Sequence, residues 1–96
     1  MKIKVIVKVP GKAPEVRTVR NELQSLQQLV GGNIETVTVS TDLVIICNEE
    51  GRLRNLPYNM TLFGIDFLGT IVFAGAKGSE FSDVPESDVI RRMARG

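Results

Sequence analysis

The sequence contains no histidine and only one cysteine, and these scarcities exclude several kinds of active site. Without histidine there is no Ser-His-Asp triad, no imidazole general base and no ordinary zinc site. Cys47 alone can form neither an internal disulfide nor a thiolate metal cluster, which agrees with a reducing cytosol. Catalysis would therefore depend on carboxylates, lysine, tyrosine or serine, and we expect no metal and no cofactor.

Neither sign of charge is in excess, because 12 basic residues nearly balance 11 acidic ones and leave a formal net charge of +1. Proteins that bind nucleic acid through phosphates usually carry a basic excess or a basic stripe, so DNA binding is disfavoured. No apolar run approaches the roughly 20 residues that span a bilayer. The N-terminal MKIKVIVKVP lacks the long apolar core of a signal peptide. We expect a cytoplasmic protein without membrane contact.

The composition and the apolar pattern predict one domain over residues 1–96, with 43% apolar and 24% charged residues. Residues 1–10 alternate β-branched residues with lysine and predict a half-buried strand, paired with a second strand at Glu15–Val19. The outer face of the first strand is expected to hold Lys2, Lys4, Ile6 and Lys8. Ile34–Ser40 alternates and Leu43–Cys47 is wholly apolar, which predicts a hairpin with one central strand. Leu68–Ala74 is the other predicted central strand.

Two helices complete the predicted fold. The first, Asn21–Val30, begins with Asn21 as N-cap and Gln24 as its capping-box partner, and ends at a left-handed Gly31. Its predicted apolar stripe is Leu23, Leu26, Leu29 and Val30. The second helix is expected to start around Ser82, Asp83 and Pro85, with a stripe of Val89, Ile90 and Met93. The fold class is α+β: a mostly antiparallel sheet of about five strands, one helix on a face and a short C-terminal helix.

The least ordinary segment is CNEEGRLRNLPYN, residues 47–59. Gly51 is expected to supply a positive φ angle in a tight turn, and Pro57 to end a brief strand at Arg52–Leu56. The following segment, Asn59–Phe67, is predicted to be irregular. Glu49 and Glu50 are adjacent and point to opposite sides, so they cannot act as a facing acid–base pair.

Several segments together resemble one protein family. They are VKVPGKAPEVRTV, LQSLQQLVGGNIETV, LVIICNEEGRLRNLPYN, LGTIVFAG and GSEFSDVPESDV, and they occur in the family's order over nearly the whole chain. The sequence is similar to the domain of unknown function 3846 family of small phage, prophage and Firmicutes proteins. The resemblance implies a viral or mobile-element origin and a host cytoplasmic setting, and it brings no reaction. The segment Met60–Leu68 is shorter than is usual in that family.

The predicted contact surface is formed by Glu35, Asn48, Glu49, Arg52, Arg54, Tyr58 and Asn59. Asparagine amides, arginine forks and a stacking tyrosine together could recognise a polar planar ligand. The alternative is structural: the asparagines form turns, and Glu35 caps backbone or pairs with Arg52 or Arg54. Cys47 is expected to be a buried, inert thiol.

The leading functional hypothesis is a non-catalytic binding protein that interferes with host antiviral defence. In one version it sequesters a nucleotide-like immune signal between subunits of a homo-oligomer, because free sheet edges invite pairing with another copy. A second version is an inhibitor that binds a host defence protein directly. Two further hypotheses are a nucleotide hydrolase that uses Glu35 or Glu49 with Tyr58, and a DNA-binding accessory, which the balanced charge disfavours.

Overall fold

The computed structural model describes residues 1–96 as a six-stranded sheet, a separate two-stranded hairpin and two helices. In chain order the elements are β1 (Lys2–Lys8), β2 (Glu15–Arg20), α1 (Leu23–Val30), β3 (Ile34–Ser40), β4 (Leu43–Asn48), β5 (Tyr58–Leu62), β6 (Ile65–Leu68), β7 (Ile71–Lys77), β8 (Glu80–Ser82) and α2 (Asp88–Arg95). The α+β prediction is confirmed. Each helix has eight residues, and neither is suited to cross a membrane.

The main sheet is antiparallel throughout, in the order β2-β1-β7-β4-β3, and β8 pairs with the end of β7. The predicted β1–β2 and β3–β4 hairpins are both present. The two apolar runs, β4 and β7, lie side by side at the centre, where both faces of the sheet are covered. This burial on both faces explains why neither strand alternates with polar residues.

Each face of the sheet carries its own apolar core. On one face α1 packs Leu26 and Val30 onto Val5, Ile46 and Val72. On the other face α2 and the β5–β6 hairpin cover a second core. Its fully buried side chains include Ile45, Phe67, Ile71 and Phe73. The chain therefore folds into three layers. The main sheet is the middle layer, α1 covers one face, and the β5–β6 hairpin and α2 cover the other.

The segment predicted to be irregular, Asn59–Phe67, instead forms the β5–β6 hairpin. Its two-residue turn has positive φ at both Phe63 (53°) and Gly64 (73°), which matches the twist of a hairpin. Phenylalanine is not a usual residue at the first position of this turn, so the residue types there do not indicate a hairpin. Met60 and Phe67 point inward and are almost completely buried.

The predicted strand at Arg52–Leu56 is wrong, because residues 49–55 form successive turns. Gly51 does not have a positive φ angle; Asn55 does, at 53°. The space beside Gly51 is tight instead, since a Cβ atom would lie 3.3 Å from the backbone oxygen of Leu68. The predicted strand Leu68–Ala74 is shifted toward the C-terminus, since Leu68 ends β6 and β7 begins at Ile71.

Both predicted helix starts need correction. Glu22, not Asn21, is the N-cap residue of α1, and no side chain caps that end. The Asn21 side chain donates to the backbone oxygen of Phe81 instead. The second helix begins only at Asp88, where the Ser87 hydroxyl accepts from two backbone N–H groups. At the other end of α1 the left-handed Gly31, with φ of 79°, is confirmed.

The predicted environments of four side chains are also wrong. Leu23 and Val89, expected in apolar stripes, are exposed because each lies on a helix face turned to solvent. Ile6 and Lys8, expected on an outer face, are buried because β1 lies between β2 and β7 with cover on both sides. The Lys8 ammonium donates to the backbone oxygen of Val9 at 3.1 Å.

Candidate functional site

A cleft of about 340 Å³ opens where β3, the turns after β4 and the β5–β6 hairpin meet; we call it the Glu35 cleft. Its lining residues are Glu35, Val37, Cys47, Asn48, Glu49, Gly51, Arg52, Leu53, Ile65, Asp66, Phe67 and Leu68. Side chains two apart on a strand share a face. Val37 packs against the core, so Glu35, at the start of the same edge strand, reaches the cleft.

The charges in the Glu35 cleft are unbalanced. Glu35, Glu49 and Asp66 contribute three carboxylates, and Arg52 contributes the one guanidinium. None of these four groups forms an ion pair, since the one salt bridge in the chain joins Arg17 to Glu15. The expected pairing of Glu35 with Arg52 or Arg54 is therefore absent. The cleft attracts cationic groups and repels anionic ones.

Two of the three carboxylates are held in place by neighbouring side chains. Asn33 donates to the Glu49 carboxylate at 3.2 Å and itself accepts from Gln27 at 3.1 Å. Thr61 donates to the Asp66 carboxylate at 2.6 Å. The Glu35 carboxylate has no hydrogen-bond partner within the chain, so of the three it is the most available to a bound group.

The single thiol lies beneath these carboxylates and is not a nucleophile. Burial, and secondly the negative charge of Glu35, raise the pKa of Cys47 to about 11. The thiol lies 3.6 Å from the backbone oxygen of Glu35. Since the thiolate is the reactive form, Cys47 is protonated and inert at neutral pH. The prediction of a buried thiol is confirmed.

Two predicted site residues hold the turns and α1 together. Asn48 is 5% exposed. Its amide nitrogen donates to the backbone oxygen of Val30 at 3.1 Å, and its oxygen accepts from the Glu50 N–H at 2.8 Å. Arg54 donates to the backbone oxygen of Gly31 at 2.8 Å. Both side chains thus satisfy carbonyl groups at the C-terminal end of α1.

Tyr58 and Asn59 do not line the Glu35 cleft. The Tyr58 hydroxyl forms a hydrogen bond with the Thr61 hydroxyl at 2.7 Å, and its ring is 58% exposed. Asn59 donates to the backbone oxygens of Lys8 and Gly69, each at 2.8 Å. Its buried Oδ1 atom has no partner. Of the seven predicted residues, the structure brings together Glu35, Asn48, Glu49 and Arg52.

Asp66 and Leu53 line the Glu35 cleft and were not among the predicted contact residues. Asp66 belongs to β6, and the alternation of Ile65, Asp66 and Phe67 was the available signal for a strand with one polar residue facing out. Leu53 sits on the turn at the rim of the cleft and is 86% exposed. A single exposed apolar side chain is common on protein surfaces, so Leu53 by itself does not indicate a partner.

Comparison with known proteins gives one family and no individual relative. The sequence model described as "Domain of unknown function (DUF3846)" matches residues 1–95. No curated protein and no solved structure matches the chain.

Proposed function

We propose a function for this chain from the premise that it belongs to the domain of unknown function 3846 family, whose model spans residues 1–95. The chain is a non-catalytic binding protein of a phage or other mobile element. It interferes with host antiviral defence by holding a basic segment of a host defence protein in the Glu35 cleft. The supporting observation is that three carboxylates from separate segments line one cleft without an ion pair.

A cationic partner is favoured over a nucleotide in this cleft. Lysine and arginine side chains would gain charge-assisted hydrogen bonds from the carboxylates. The phosphates of a nucleotide would meet three negative charges and one arginine. The direct inhibitor is therefore the version that the charges of this cleft support.

The arrangement also supports a binding role over a hydrolytic one. The hydrolase hypothesis requires Glu35 or Glu49 to act with Tyr58, and the Tyr58 hydroxyl is bound to Thr61 outside the cleft. Glu49 already accepts a hydrogen bond from Asn33. The Cys47 thiol is protonated because its pKa is raised to about 11.

Reversal of one carboxylate tests the cleft directly. With Glu35→Lys we expect binding of a short arginine-rich peptide to weaken by about 100-fold, because placing like charges together costs several kcal/mol. Titration followed by NMR gives both the affinity and the residues that respond. Glu22→Lys is the matched control, since Glu22 is exposed and its side chain caps nothing. A glutamate-rich peptide of equal length is expected not to bind.

The biological readout is phage plating on hosts that carry defence systems, with the chain supplied in trans. Wild type and Glu22→Lys should restore plaques on at least one host, and Glu35→Lys should not. Failure of the wild type on every host of a broad panel, or equal rescue by Glu35→Lys, would contradict the proposal. Unchanged binding of the basic peptide to Glu35→Lys would contradict it as well.

We further propose that copies of the chain pair through β3, whose outer edge has no partner strand. Antiparallel pairing about Val37 would set Glu35 opposite Val39 of the second copy and avoid facing carboxylates. Thr36 would then face Thr38 of the second copy, so Thr36→Lys with Thr38→Lys places like charges opposite each other. Light scattering should show a wild-type dimer and a monomeric double variant. Val16→Lys, 60% exposed on the edge strand β2 and opposite the uncharged Ile6, should remain dimeric; a monomeric wild type would refute the pairing.

A further inference from the structure

A second cavity, of about 500 Å³, lies on the α2 face of the sheet between β2 and α2. We call it the Arg91/Arg95 cavity. Its lining residues are Ile6, Pro14, Val16, Arg91, Ala94 and Arg95. It lies beside β2, at the opposite edge of the sheet from β3 and the Glu35 cleft. The two sites are therefore built from different residues.

The floor of this cavity is apolar because α2 covers the sheet only as far as β1. Ile6 and Val16 are directly paired across β1 and β2, so their side chains share this face. Ile6 is buried beneath α2, whereas Val16 is 60% exposed. The cavity thus offers an uncovered aliphatic surface beside a helix.

The wall of the cavity is basic and lacks a counter-charge. Arg91 and Arg95 are one helical turn apart on α2, and Arg95 donates to the backbone oxygen of Arg91 at 3.4 Å. Neither guanidinium forms an ion pair, and no carboxylate lines the cavity. Asp83 contacts β1 near this face, where it accepts from the Lys4 backbone N–H, and it does not line the cavity.

Further basic residues extend the positive charge along the same face. Lys2 and Lys4 lie on the same face of β1 as the buried Ile6. Arg20 is paired with Lys2 across the hairpin. All three side chains are exposed. These residues add to the positive charge of Arg91 and Arg95 on this side of the sheet. Local positive charge raises the local concentration of anions.

We propose that the Arg91/Arg95 cavity binds a small organic phosphate, with the phosphate on the two guanidiniums and an apolar or aromatic body on Val16 and Pro14. Arginine forks match phosphate oxygens, and a volume of about 300–1,000 Å³ is usual for small-molecule pockets. A nucleotide has this chemistry. The residues suited to a nucleotide are thus at this cavity and not in residues 47–59. The inference does not depend on the function proposed for the Glu35 cleft.

Calorimetric titration of the intact chain with adenosine monophosphate tests this inference, and phenyl phosphate tests whether a plain ring is sufficient. We expect saturable binding of at least one of them. Adenosine lacks the phosphate and inorganic phosphate lacks the apolar body, so each should bind at least about tenfold more weakly. Replacing both arginines, with Arg91→Gln and Arg95→Gln, should weaken binding by about 10–100-fold.

Arg92→Gln is the matched control, since Arg92 is exposed on the same helix and does not line the cavity. Val16→Glu is a second test that leaves α2 unchanged and puts a carboxylate on the cavity floor; it should also abolish binding. The inference is overturned if neither organic phosphate binds saturably, or if adenosine or inorganic phosphate binds equally well. It is also overturned if the double arginine variant binds as wild type does. None of these outcomes bears on the peptide titration of Glu35→Lys.

Discussion

Replacement of Asn48 by aspartate is expected to lower the free energy of unfolding by about 2–4 kcal/mol at neutral pH. The substitution keeps the shape of the side chain and the acceptor for the Glu50 N–H. It removes the amide donor to the Val30 carbonyl and sets a carboxylate oxygen against that carbonyl oxygen instead. Because Asn48 is 5% exposed, water cannot replace the lost donor.

The pH dependence of this loss identifies its cause. In the folded variant the introduced carboxyl should have a pKa above its unfolded value, because only its protonated form can donate to Val30. The folded state then binds more protons than the unfolded state between these two pKa values, so the variant gains relative stability as pH falls through them. The destabilisation is greatest at neutral pH. Urea unfolding of wild type and variant across acidic and neutral pH measures the difference.

Asn55→Asp provides the control for this experiment. Asn55 is exposed, and aspartate also tolerates its left-handed backbone, so its effect should stay within about 0.5 kcal/mol. A loss for Asn48→Asp of less than about 1 kcal/mol at neutral pH would contradict the structural role assigned to Asn48. A loss that grows as pH falls would contradict it equally.

The sheet was predictable because its strongest signals are local. The apolar runs of β4 and β7 and the alternation of β1 and β3 each follow from the period of a strand. What failed depended on contacts that are distant in sequence. Asn21 is a good N-cap by type, yet its side chain is used by the Phe81 carbonyl, 60 residues away. Capping rules consider only neighbouring residues, so they cannot show that a distant carbonyl group takes the Asn21 side chain from the helix end.

The candidate site was only partly predictable for the same reason. Residues 47–59 are polar and contiguous, which suggested one surface, but their successive turns send them in different directions. Arg54 turns to the end of α1, and Asn59 holds β1 and the Gly69 turn. The cleft obtains its third carboxylate from Asp66 on β6. The polar composition of residues 47–59 thus indicated part of the site. The β5–β6 hairpin that completes it was not predicted, because phenylalanine is unusual in such a turn.

Gly75→Ala is expected to destabilise the chain by about 3 kcal/mol, because the space beside Gly75 is already filled by backbone. Gly75 lies within β7 and pairs with both Leu43 and Ser82. An added Cβ atom would lie 2.6 Å from the Ser82 hydroxyl oxygen and would overlap the Asp83 backbone oxygen. The clash is with backbone and not with the end of a flexible side chain, so the backbone at β8 must move to relieve it. Gly78→Ala is the control: open space surrounds it, and only its positive φ of 64° costs about 1–2 kcal/mol.

The damage from Gly75→Ala should concentrate at the C-terminal segment. Displacing β8 and Asp83 breaks the hydrogen bonds that join Asp83 and Val84 to Lys4, and these precede α2. Hydrogen exchange should speed up across residues 80–95 more than in β3 and β4, since local opening follows the loss of local contacts. Because α2 carries Arg91 and Arg95, binding of an organic phosphate should weaken while the Glu35 cleft still binds the basic peptide. Uniformly faster exchange, or equal loss at both sites, would mean that β8 is not what fixes α2 to the sheet.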